Sequence, residues 1–468
     1  MSNQNRRTFL KQTGIGVAGA TALNWTTSSD AALGSDEKVH LGVIGCGGRG
    51  SGVAQAFAEE KHCEVTYLCD PDTNRAGKLA KGLSGIDGNR HPQVTGDLRR
   101  LLDDDSVDAV LIATPDHWHA PAAILACEAG KHVYVEKPCS HNLREGRLLV
   151  EAARRNKRVV QHGTQSRSMQ LIVDAVQMLR EGIIGDVLVA KAWNVQRRGN
   201  IGHQKPSDPP KNVDYDTWVG PASWMPFQAN RFHYSWHWWY NFGTGDMGND
   251  GVHELDYARW GLGVETHPTR ISALGGKYFF DDDQQFPDTQ QVAFEYPGDG
   301  KVGNKRMLIW EMRIWSTNYP YNVDNGAEFY GTKGRMMFTK RGKLEVFGER
   351  NKRIKPKHVD GGPAEMSSAE REVAVQALLT VLPVAELASE GWSVSGGGTF
   401  SSALDFGSGG RGRQYKEARL EPGETITIKD ALGEEIQSFT YDDAWLPSTD
   451  GRGNSLVIID ASSPLVIS

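Results

Sequence analysis

The stretch VHLGVIGCGGRG, residues 39–50, decides the fold class. Its first six residues are mostly apolar and partly β-branched, which is typical of a buried parallel strand. They run directly into the pattern G-x-G-G-x-G, and a predicted helix follows at residues 51–60. A glycine triad between a strand and a helix indicates a dinucleotide-binding loop. A glycine-rich turn without a ligand is the alternative interpretation.

The three glycines have separate predicted tasks in such a loop. Gly45 permits the tight turn, Gly47 lets the backbone approach a pyrophosphate, and Gly50 allows the helix to pack closely on the strand. Gly48 and Arg49 complete the loop, and the N-terminus of the helix favours the charge of the diphosphate. We therefore expect all five residues to contact the cofactor.

Asp70 ends the second predicted strand, residues 64–69. An acid at this position accepts hydrogen bonds from the ribose hydroxyls and repels a 2′-phosphate. The sequence therefore favours NAD as the cofactor and makes NADP the less favoured one. Asp72 is close enough to be an alternative candidate for the same task.

The alternation of strand and helix continues to about residue 162. The later predicted strands are 107–113, 132–135 and 159–162, and the predicted helices are 97–105, 120–130 and 142–156. This order predicts an α/β fold whose parallel sheet has right-handed crossovers and binds ligands at the carboxyl ends of its strands. Residues 114–119 and 136–138 follow two of these strands, so we expect them to meet the glycine loop in one crevice.

Several of these segments together resemble a known family. The glycine turn, the strand end Ala113-Thr114-Pro115 and the triplet Glu136-Lys137-Pro138 resemble the glucose–fructose oxidoreductase, inositol dehydrogenase and MocA family. The segments at residues 114–120 and 163–168 look like a secreted bacterial branch of it. The resemblance covers residues 39–338. It implies an N-terminal Rossmann domain and a C-terminal α/β domain whose open, mainly antiparallel sheet often mediates homo-oligomers.

Lys137 is the family's catalytic lysine by this resemblance, and its bond to Pro138 is often cis in family members. A lysine partly desolvated at a strand end has a lowered pKa and can accept a proton from a substrate hydroxyl. A surface lysine on a turn is the alternative. The predicted cofactor-binding residues are Gly45, Gly47, Gly48, Arg49, Gly50, Asp70, Thr114, Pro115, His117, His119, Glu136, Lys137 and Gln165.

The segment GNDGVHELD, residues 248–256, carries a second group of polar side chains. Asn249 and His253 share one face at helical spacing. The family commonly has an aspartate where this chain has Asn249, so a lysine–aspartate–histidine relay is in doubt and Lys137 with His253 is the predicted catalytic pair. A metal held by His253, Asp250 and Asp256 is disfavoured, because helical offsets scatter these groups, and we expect no metal.

Residues 232–242 contain seven aromatic side chains among eleven residues. Flat indole faces stack well on sugars, which favours a carbohydrate-binding wall, whereas core packing is the usual fate of aromatic residues. Arg167 follows the last strand of the first domain and is equally consistent with a structural salt bridge. The predicted substrate-binding residues are Arg167, Trp236, Trp238, Asn249, Asp250 and His253.

The composition excludes several classes of protein. The 468 residues include 52 basic and 58 acidic side chains, a net charge of −6, which argues against a broad nucleic-acid-binding surface. Five scattered cysteines without a C-x-x-C pair exclude a disulfide-rich scaffold and a cysteine zinc site. After the N-terminus no apolar run approaches the ~20 residues that a membrane-spanning helix needs, so we expect no membrane span in the mature protein.

The two ends of the chain carry their own predictions. Residues 1–35 combine NRRTFLK with a weakly apolar stretch and predict a twin-arginine signal, hence export in the folded state to the periplasm or beyond. We predict a Rossmann domain at 36–165, a substrate and oligomerisation domain at 166–360, a linker at 361–412 and a partial β tail at 413–468. The tail resembles the end of a lamin-tail-like domain. A fused adhesion module, a divergent tail, a chimeric gene and a mis-joined reading frame are the alternatives.

The predicted function is NAD-dependent oxidoreduction, with hydride passing between nicotinamide and a hydroxyl-bearing carbon of a sugar, sugar derivative or polyol. A glycoside hydrolase of the same family, which retains NAD and works by oxidation and elimination, is the first alternative. A non-catalytic carbohydrate-binding protein with this fold is the second. Turnover of the cofactor separates the first two.

Overall fold

A computed structural model describes residues 38–86, 91–298 and 301–356 in full, together with the backbone of two later strands. The predicted signal and the predicted linker lie outside these residues. Of the predicted tail, only β15 (Thr425–Lys429) and β16 (Glu435–Thr440) are described, as an antiparallel pair. A search of the described residues finds no helix that is long and apolar enough to span a membrane.

The first half of the described chain forms a six-stranded parallel sheet. Its strands are β1 (Val39–Ile44), β2 (Cys63–Cys69), β3 (Gln93–Thr95), β4 (Ala109–Ile112), β5 (His132–Glu136) and β6 (Val160–Gly163). They lie in the order β3-β2-β1-β4-β5-β6, and every pair is parallel. The order reverses between β1 and β4, which is where sheets of this kind bind ligands. The predicted α/β class is confirmed.

Helices cover both faces of this sheet. They are α1 (Gly48–Ala58), α2 (Thr73–Leu83), α3 (Leu98–Leu102), α4 (Asp116–Glu128) and α5 (Leu143–Arg155). One apolar core joins α1 and α2 to the sheet through buried side chains such as Phe57 and Leu83. A second core joins the other three helices to the opposite face through Leu101, Ala123 and Leu149. Burial on both faces explains why the strands read as continuous apolar runs.

The predicted elements of this half are present, but several boundaries differ. The first helix begins at Gly48 rather than at residue 51, so the last glycine of the triad lies inside its first turn. Helix α4 begins at Asp116 rather than at residue 120, so residues 116–119 form its first turn. The acidic group of Asp116 favours a helix start, because it interacts well with the helix dipole. The short strand β3 was not predicted.

The second half contains an eight-stranded sheet. Its strands are β7 (Val187–Asn194), β8 (Arg270–Gly276), β9 (Thr289–Tyr296), β10 (Arg306–Arg313), β11 (Asn325–Gly331), β12 (Gly334–Phe338), β13 (Leu344–Gly348) and β14 (Arg353–Ile354). The order is β14-β13-β12-β11-β7-β10-β9-β8, and β7 with β10 forms the one parallel pair within this sheet. The expectation of an open, mainly antiparallel sheet is confirmed.

Helices pack on one face of this second sheet. The helices of this half are α6 (Gln170–Arg180), α7 (Tyr215–Val219), α8 (Gly245–Asn249) and α9 (Gly251–Leu262). Side chains of α6 and α9 meet the sheet in a core that includes the fully buried Tyr257, Trp310 and Phe329. Close packing also explains Gly251 at the start of α9, because a Cβ there would lie 2.3 Å from the ring of Trp310.

The segment between β7 and α8, residues 195–244, crosses to the Rossmann half, and we call it the strap. The amide of Asp214 donates to the carbonyl oxygen of Pro71 at 2.9 Å, and the side chain of Asn212 donates to Asp72 at 2.7 Å. His233 of the strap also lies 2.9 Å from a carboxylate oxygen of Asp72. The strap is therefore tied to the end of β2, beside the predicted ribose site.

Candidate active site

The glycine loop joins β1 to α1 at the point where the strand order reverses. Gly45 has a φ of +94°, and a Cβ added there would lie 2.6 Å from the carbonyl oxygen of Ala113. A Cβ on Gly50 would lie 1.9 Å from the carbonyl oxygen of Gly45. Both separations are far below van der Waals contact, so only glycine fits at either position. Gly47 precedes the first turn of α1, where free amides favour an anion.

A cleft of about 730 Å³ opens beside this loop. The Rossmann half contributes loop and strand-end residues to its wall, among them Gly45, Gly47, Asp70, Thr95, Thr114 and Pro115. The strap contributes Asp214, Trp218 and His233 to the same lining. Thr114 Oγ1 is buried and has no hydrogen-bond partner among the described residues. The glycine loop and this unsatisfied hydroxyl are suited to bind a dinucleotide at the carboxyl ends of the strands.

Asp70 lies at the wall of the cleft, and its carboxylate is already held by the backbone. One oxygen accepts from the amide of Cys46 and the other from the amide of Asp72, both at 2.8 Å. Burial raises the pKa of Asp70, and these two amides oppose the rise. Asp72 instead accepts from the amide of Asn74 and from the strap. Asp70 is therefore the better candidate for the ribose.

Two histidines predicted to bind the cofactor are held by backbone carbonyl oxygens. The ring nitrogens of His117 lie 3.1 Å and 3.4 Å from the carbonyl oxygens of Trp218 and Phe242, both in the strap. Those of His119 lie 2.6 Å from the oxygen of Pro138 and 2.9 Å from that of Thr114. Both rings are buried. His117 anchors the strap, and His119 ties two strand-end loops together.

Glu136 is buried at the end of β5 and accepts from Nε of Arg49 at 2.7 Å. This ion pair links the glycine loop to the segment that carries Lys137. Gln165 follows β6, and its Oε1 is buried without a hydrogen-bond partner in the described part of the chain. An unsatisfied buried oxygen usually marks a place for a further donor, and this is consistent with the predicted role of Gln165 toward a ligand.

Lys137 is half-buried and connects the two halves of the fold through Asn249. The Lys137–Pro138 peptide is cis, as the resemblance implied. Nζ donates to Oδ1 of Asn249 at 3.0 Å and also to the backbone oxygen of Asn249. Burial lowers the pKa of Lys137, and the carboxylates of Asp116, Glu136 and Asp250 oppose that effect.

His253 lies in the first turn of α9 and is buried. Its Nδ1 has no hydrogen-bond partner within the described residues. Burial lowers the pKa of His253 well below its usual value, and the positive charges of Lys340 and Lys137 lower it further. His253 is therefore neutral near pH 7. Its ring can donate or accept a hydrogen bond with a substrate and carries no positive charge.

Asp250 is held by groups that the sequence did not single out. Oδ1 accepts from Lys340 Nζ at 2.9 Å, and the side chain of Gln196 donates to the other oxygen. Burial by itself would raise the pKa of Asp250, but the charges of Lys340, Arg198 and Lys137 together lower it. The carboxylate is thus ionised. Lys340 also lies 3.1 Å from Glu254, whose pKa burial raises to about 8.

The other predicted substrate residues do not form an open wall. Trp236 packs in an aromatic core of the strap with Trp218, Trp239 and Phe242. Trp238 is also buried, although its Nε1 lacks a hydrogen-bond partner among the described residues. The burial of these two indoles agrees with the alternative of core packing, and their predicted contact with a carbohydrate stays a prediction.

Arg167 has the structural role that the sequence left open. Its guanidinium donates to both oxygens of Asp256, at 2.7 Å and 2.8 Å, and lies over the ring of Trp260. Such a bidentate pair satisfies the planar guanidinium. No group of three or more histidine, cysteine or acidic side chains that could hold a metal occurs in the described residues.

Comparison with protein families gives two adjacent matches. Residues 39–164 match an oxidoreductase family with an NAD-binding Rossmann fold. Residues 170–298 match the C-terminal α/β domain of the oxidoreductase family. Together the matches cover more than half of the chain.

Curated relatives include two different kinds of protein. Glycosyl hydrolase family 109 protein 2 of Shewanella sp. (strain ANA-3) is 33% identical over 214 residues, which are 41% of this chain and 46% of that protein. An uncharacterized oxidoreductase of Streptococcus pneumoniae serotype 4 is 25% identical over 314 residues, 66% of this chain and 72% of that protein. The chain thus spans about half the length of the glycosyl hydrolase it matches.

Solved structures share the fold at low identity. Levoglucosan dehydrogenase in complex with NADH and levoglucosan aligns with a TM-score of 0.56 and 20% identity, over 78% of this chain and 93% of that one. Aldose-aldose oxidoreductase from Caulobacter crescentus, complexed with glycerol, aligns with a TM-score of 0.53 and 18% identity, over 76% and 96%. These alignments support the two-part fold described above.

Proposed function

The chain belongs to the glucose–fructose oxidoreductase, inositol dehydrogenase and MocA family, and from that premise we propose that it oxidises or reduces a hydroxyl-bearing carbon of a sugar, sugar derivative or polyol with NAD. The observation that carries the proposal is the half-buried Lys137 at the end of β5, whose Nζ donates to Asn249 and whose charge acts on the buried, neutral His253. The glycine cradle lies at the end of β1 in the same sheet.

Two features of the cleft fit NAD: the glycine loop and the unsatisfied hydroxyl of Thr114. Gly45, Gly47 and Gly50 would hold the diphosphate, and Asp70 would accept from the adenosine ribose. When bound, NAD supplies an acceptor or donor for hydride at its nicotinamide ring. The protein's own contribution is to bind, to orient and to move the proton.

The proton of the reacting hydroxyl passes to Lys137. Because burial lowers the pKa of Lys137, a larger fraction of this side chain is the neutral amine near pH 7 than for a lysine in water. His253 stays neutral and can bind the same hydroxyl through its free Nδ1. Asp250, kept ionised by Lys340, can accept a hydrogen bond from another hydroxyl of a polyhydroxy substrate.

A second candidate is glycoside hydrolysis by oxidation and elimination with retained NAD. The 33% identical relative named as a family 109 glycosyl hydrolase supports it. The strap also supports this second candidate. Asp214, Trp218 and His233 of the strap line the cleft, and we expect them to slow release of the cofactor. A non-catalytic sugar-binding protein is disfavoured, because such a protein would need neither an amine held by Asn249 nor a buried imidazole with an unsatisfied Nδ1.

One experiment separates these candidates. The protein is loaded with NAD, freed of excess cofactor and incubated with a panel of sugars, polyols and aryl glycosides, with and without an added electron acceptor. A dehydrogenase stops at one equivalent of product per site until the acceptor is added, whereas an oxidation–elimination hydrolase releases aglycone through many turnovers without it. Binding of sugars with no chemistry in either arm would support the non-catalytic alternative and contradict the proposal.

We expect Asp70→Ala to reduce the preference for NAD over NADP by about tenfold, equivalent to about 1.4 kcal/mol. The substitution removes the negative charge that opposes a 2′-phosphate, and it also frees the amides of Cys46 and Asp72. Dissociation constants for both cofactors from titration calorimetry give the ratio. Asp105→Ala, at an exposed acid of the same domain, is the control. Tighter binding of NADP than NAD by the unaltered protein would refute the assignment of Asp70.

The double variant Asn212→Ala and His233→Ala should release NAD about tenfold faster than the unaltered protein. These side chains tie the strap to Asp72, and the backbone bonds of the strap remain. Stopped-flow displacement of bound cofactor measures the rate. His203→Ala changes an exposed histidine of the strap and should leave it unchanged. An unaltered release rate in the double variant would show that the strap does not retain the cofactor.

Two further proposals concern the export of the protein and its assembly. We propose that the twin-arginine segment directs the folded protein to the periplasm or beyond, which suits a protein that loads NAD first. We also propose a homo-oligomer through the open face of the second sheet, where Leu274, Met307 and Tyr330 are exposed. Cell fractionation and light scattering test these two proposals. A cytoplasmic protein or a monomer would contradict the respective proposal.

A further inference from the structure

The side-chain amide of Asn249 is held at both of its ends. Its Nδ2 donates to Oδ1 of Asp246 at 3.1 Å, and its Oδ1 accepts from Nζ of Lys137 at 3.0 Å. Asp246 is an acceptor when ionised and Lys137 is a donor, so the two neighbours determine which end of the amide is which. The orientation of Asn249 therefore depends on Asp246.

Asp246 is itself fixed by residues that do not touch Lys137. It is buried, with 1% of its surface exposed. Arg198 donates to Oδ1 through Nη2 at 2.9 Å and to Oδ2 through Nε at 3.3 Å, and Asn194 donates to Oδ2 at 3.1 Å. Asn194 ends β7 and Arg198 lies in the strap, so Asp246 is anchored from two separate elements.

The amine of Lys137 donates twice to the same residue, to Oδ1 and to the backbone oxygen of Asn249. A neutral amine has two hydrogens and one lone pair. When one residue accepts both hydrogens, the lone pair has a fixed direction and is free to accept a proton. An aspartate at this position would offer similar acceptors but would also stabilise the ammonium form by its charge.

The other charged groups near Lys137 each have a partner of their own. Among the carboxylates, Asp116 accepts from the hydroxyl of Thr244, Glu136 pairs with Arg49, and Asp250 pairs with Lys340. The remaining titratable neighbours are Lys340, which pairs with Asp250, and His253 and His237, whose pKa values are both lowered by burial. The side chain at position 249 is uncharged and in direct contact with Nζ. A charge introduced there by substitution should therefore have the largest effect on the pKa of Lys137.

We propose that Asp246, anchored by Arg198 and Asn194, is a positioning residue that orients Asn249 so that both oxygens of Asn249 bind Lys137 and direct its lone pair toward the substrate hydroxyl. The inference rests on the proposed function, because it takes Lys137 as the base. Asn249 stands where the family commonly has an aspartate. In this inference it offers Lys137 two acceptor oxygens without adding a negative charge.

The sharpest test exchanges the two side chains in the double variant Asp246→Asn and Asn249→Asp. The net charge and the donor–acceptor pairing between the two positions are kept, but the carboxylate now lies against Lys137. We expect the acid limb of the pH profile of kcat/KM to move to higher pH by about one unit or more, since an opposite charge at this distance shifts a pKa by about 1–3 units. Activity should recover at high pH.

The same shift should be visible without turnover. In protein labelled with nitrogen-15 lysine, the titration of Lys137 Nζ, assigned by its loss in Lys137→Met, should move to higher pH in the exchanged variant. NAD affinity should stay within about twofold, because the glycine cradle is untouched. The control Asp186→Asn removes an exposed carboxylate at the end of the loop before β7 and should move neither titration.

A second variant guards against a failure of the exchanged protein to fold. Asp246→Asn alone leaves position 249 uncharged but replaces one of the two acceptor oxygens at position 246 with a donor. Arg198, Asn194 and Asn249 then compete for the oxygen that remains, and we expect kcat to fall at least tenfold with little change in KM. An unmoved titration of Lys137 in the exchanged variant, or unaltered kcat in Asp246→Asn, would overturn the inference. Absence of turnover by the unaltered protein would count against the proposed function instead, while the magnetic resonance titration would still decide the inference.

Discussion

Lys137→Met should lower kcat/KM by about 10²- to 10⁴-fold, the usual contribution of a positioned general acid or base, and leave NAD affinity within about twofold. Methionine is similar in length to lysine and can occupy the same space, but its side chain has no group that accepts or donates a proton. Nζ contacts Asn249 rather than the glycine loop, so the cradle should keep its shape. Steady-state kinetics with the best substrate of the panel and calorimetry with NAD give the two numbers.

The matched control for this prediction is Lys205→Met, which changes an exposed lysine of the strap and should leave both numbers unchanged. If Lys137→Met lost cofactor binding to the same extent as turnover, the lysine would be a ribose or structural contact rather than the base. If it kept full turnover, the proton would have to leave by another group, and His253 would become the first candidate.

Gly50→Ala should weaken NAD binding by about 100-fold, equivalent to about 2.7 kcal/mol, and destabilise the fold by about 1–3 kcal/mol. The added Cβ would lie 1.9 Å from the carbonyl oxygen of Gly45 and 3.2 Å from the side chain of Ala113. Because the first contact is to backbone, the turn between β1 and α1 has to open, which displaces the amides that face the diphosphate.

Gly52→Ala provides a control in the same helix. A Cβ at Gly52 would meet no atom within 4 Å, and alanine is favoured over glycine in a helix interior by about 0.5–1 kcal/mol. The melting temperature should therefore rise slightly and NAD affinity should not change. Calorimetry with NAD and thermal denaturation of both variants supply the comparison. Equal NAD affinity of Gly50→Ala and the unaltered protein would mean that the loop does not hold the diphosphate.

The residues predicted correctly from the sequence are those whose roles are local. The strand β1, the glycine turn and the helix after it are adjacent in the chain, and their periodicity and composition indicate the same arrangement. Lys137 was identified because it directly follows β5 in a family-typical triplet. Ends of parallel strands meet at one edge of a sheet, so these segments could be placed together without knowledge of side-chain packing.

The residues that were missed come together only in three dimensions. Lys340 follows β12, Arg198 lies in the strap and Asp246 lies in α8, and no spacing in the sequence connects them to Lys137. For the same reason the sequence did not reveal the packing partners of His117, Arg167 and Trp236. These partners are the strap for His117, Asp256 for Arg167, and other aromatic rings for Trp236.

The most direct test of hydride transfer assisted by Lys137 is a single-turnover spectrum of the NAD-loaded protein. The panel of sugars, polyols and glycosides is mixed with the unaltered protein and with Lys137→Met in a stopped-flow instrument, and the near-ultraviolet band of the reduced nicotinamide is followed. The account predicts that at least one compound produces this band, transiently or lastingly, in the unaltered protein and not in Lys137→Met. Identical traces from both proteins across the panel, with NAD bound to each, would contradict it.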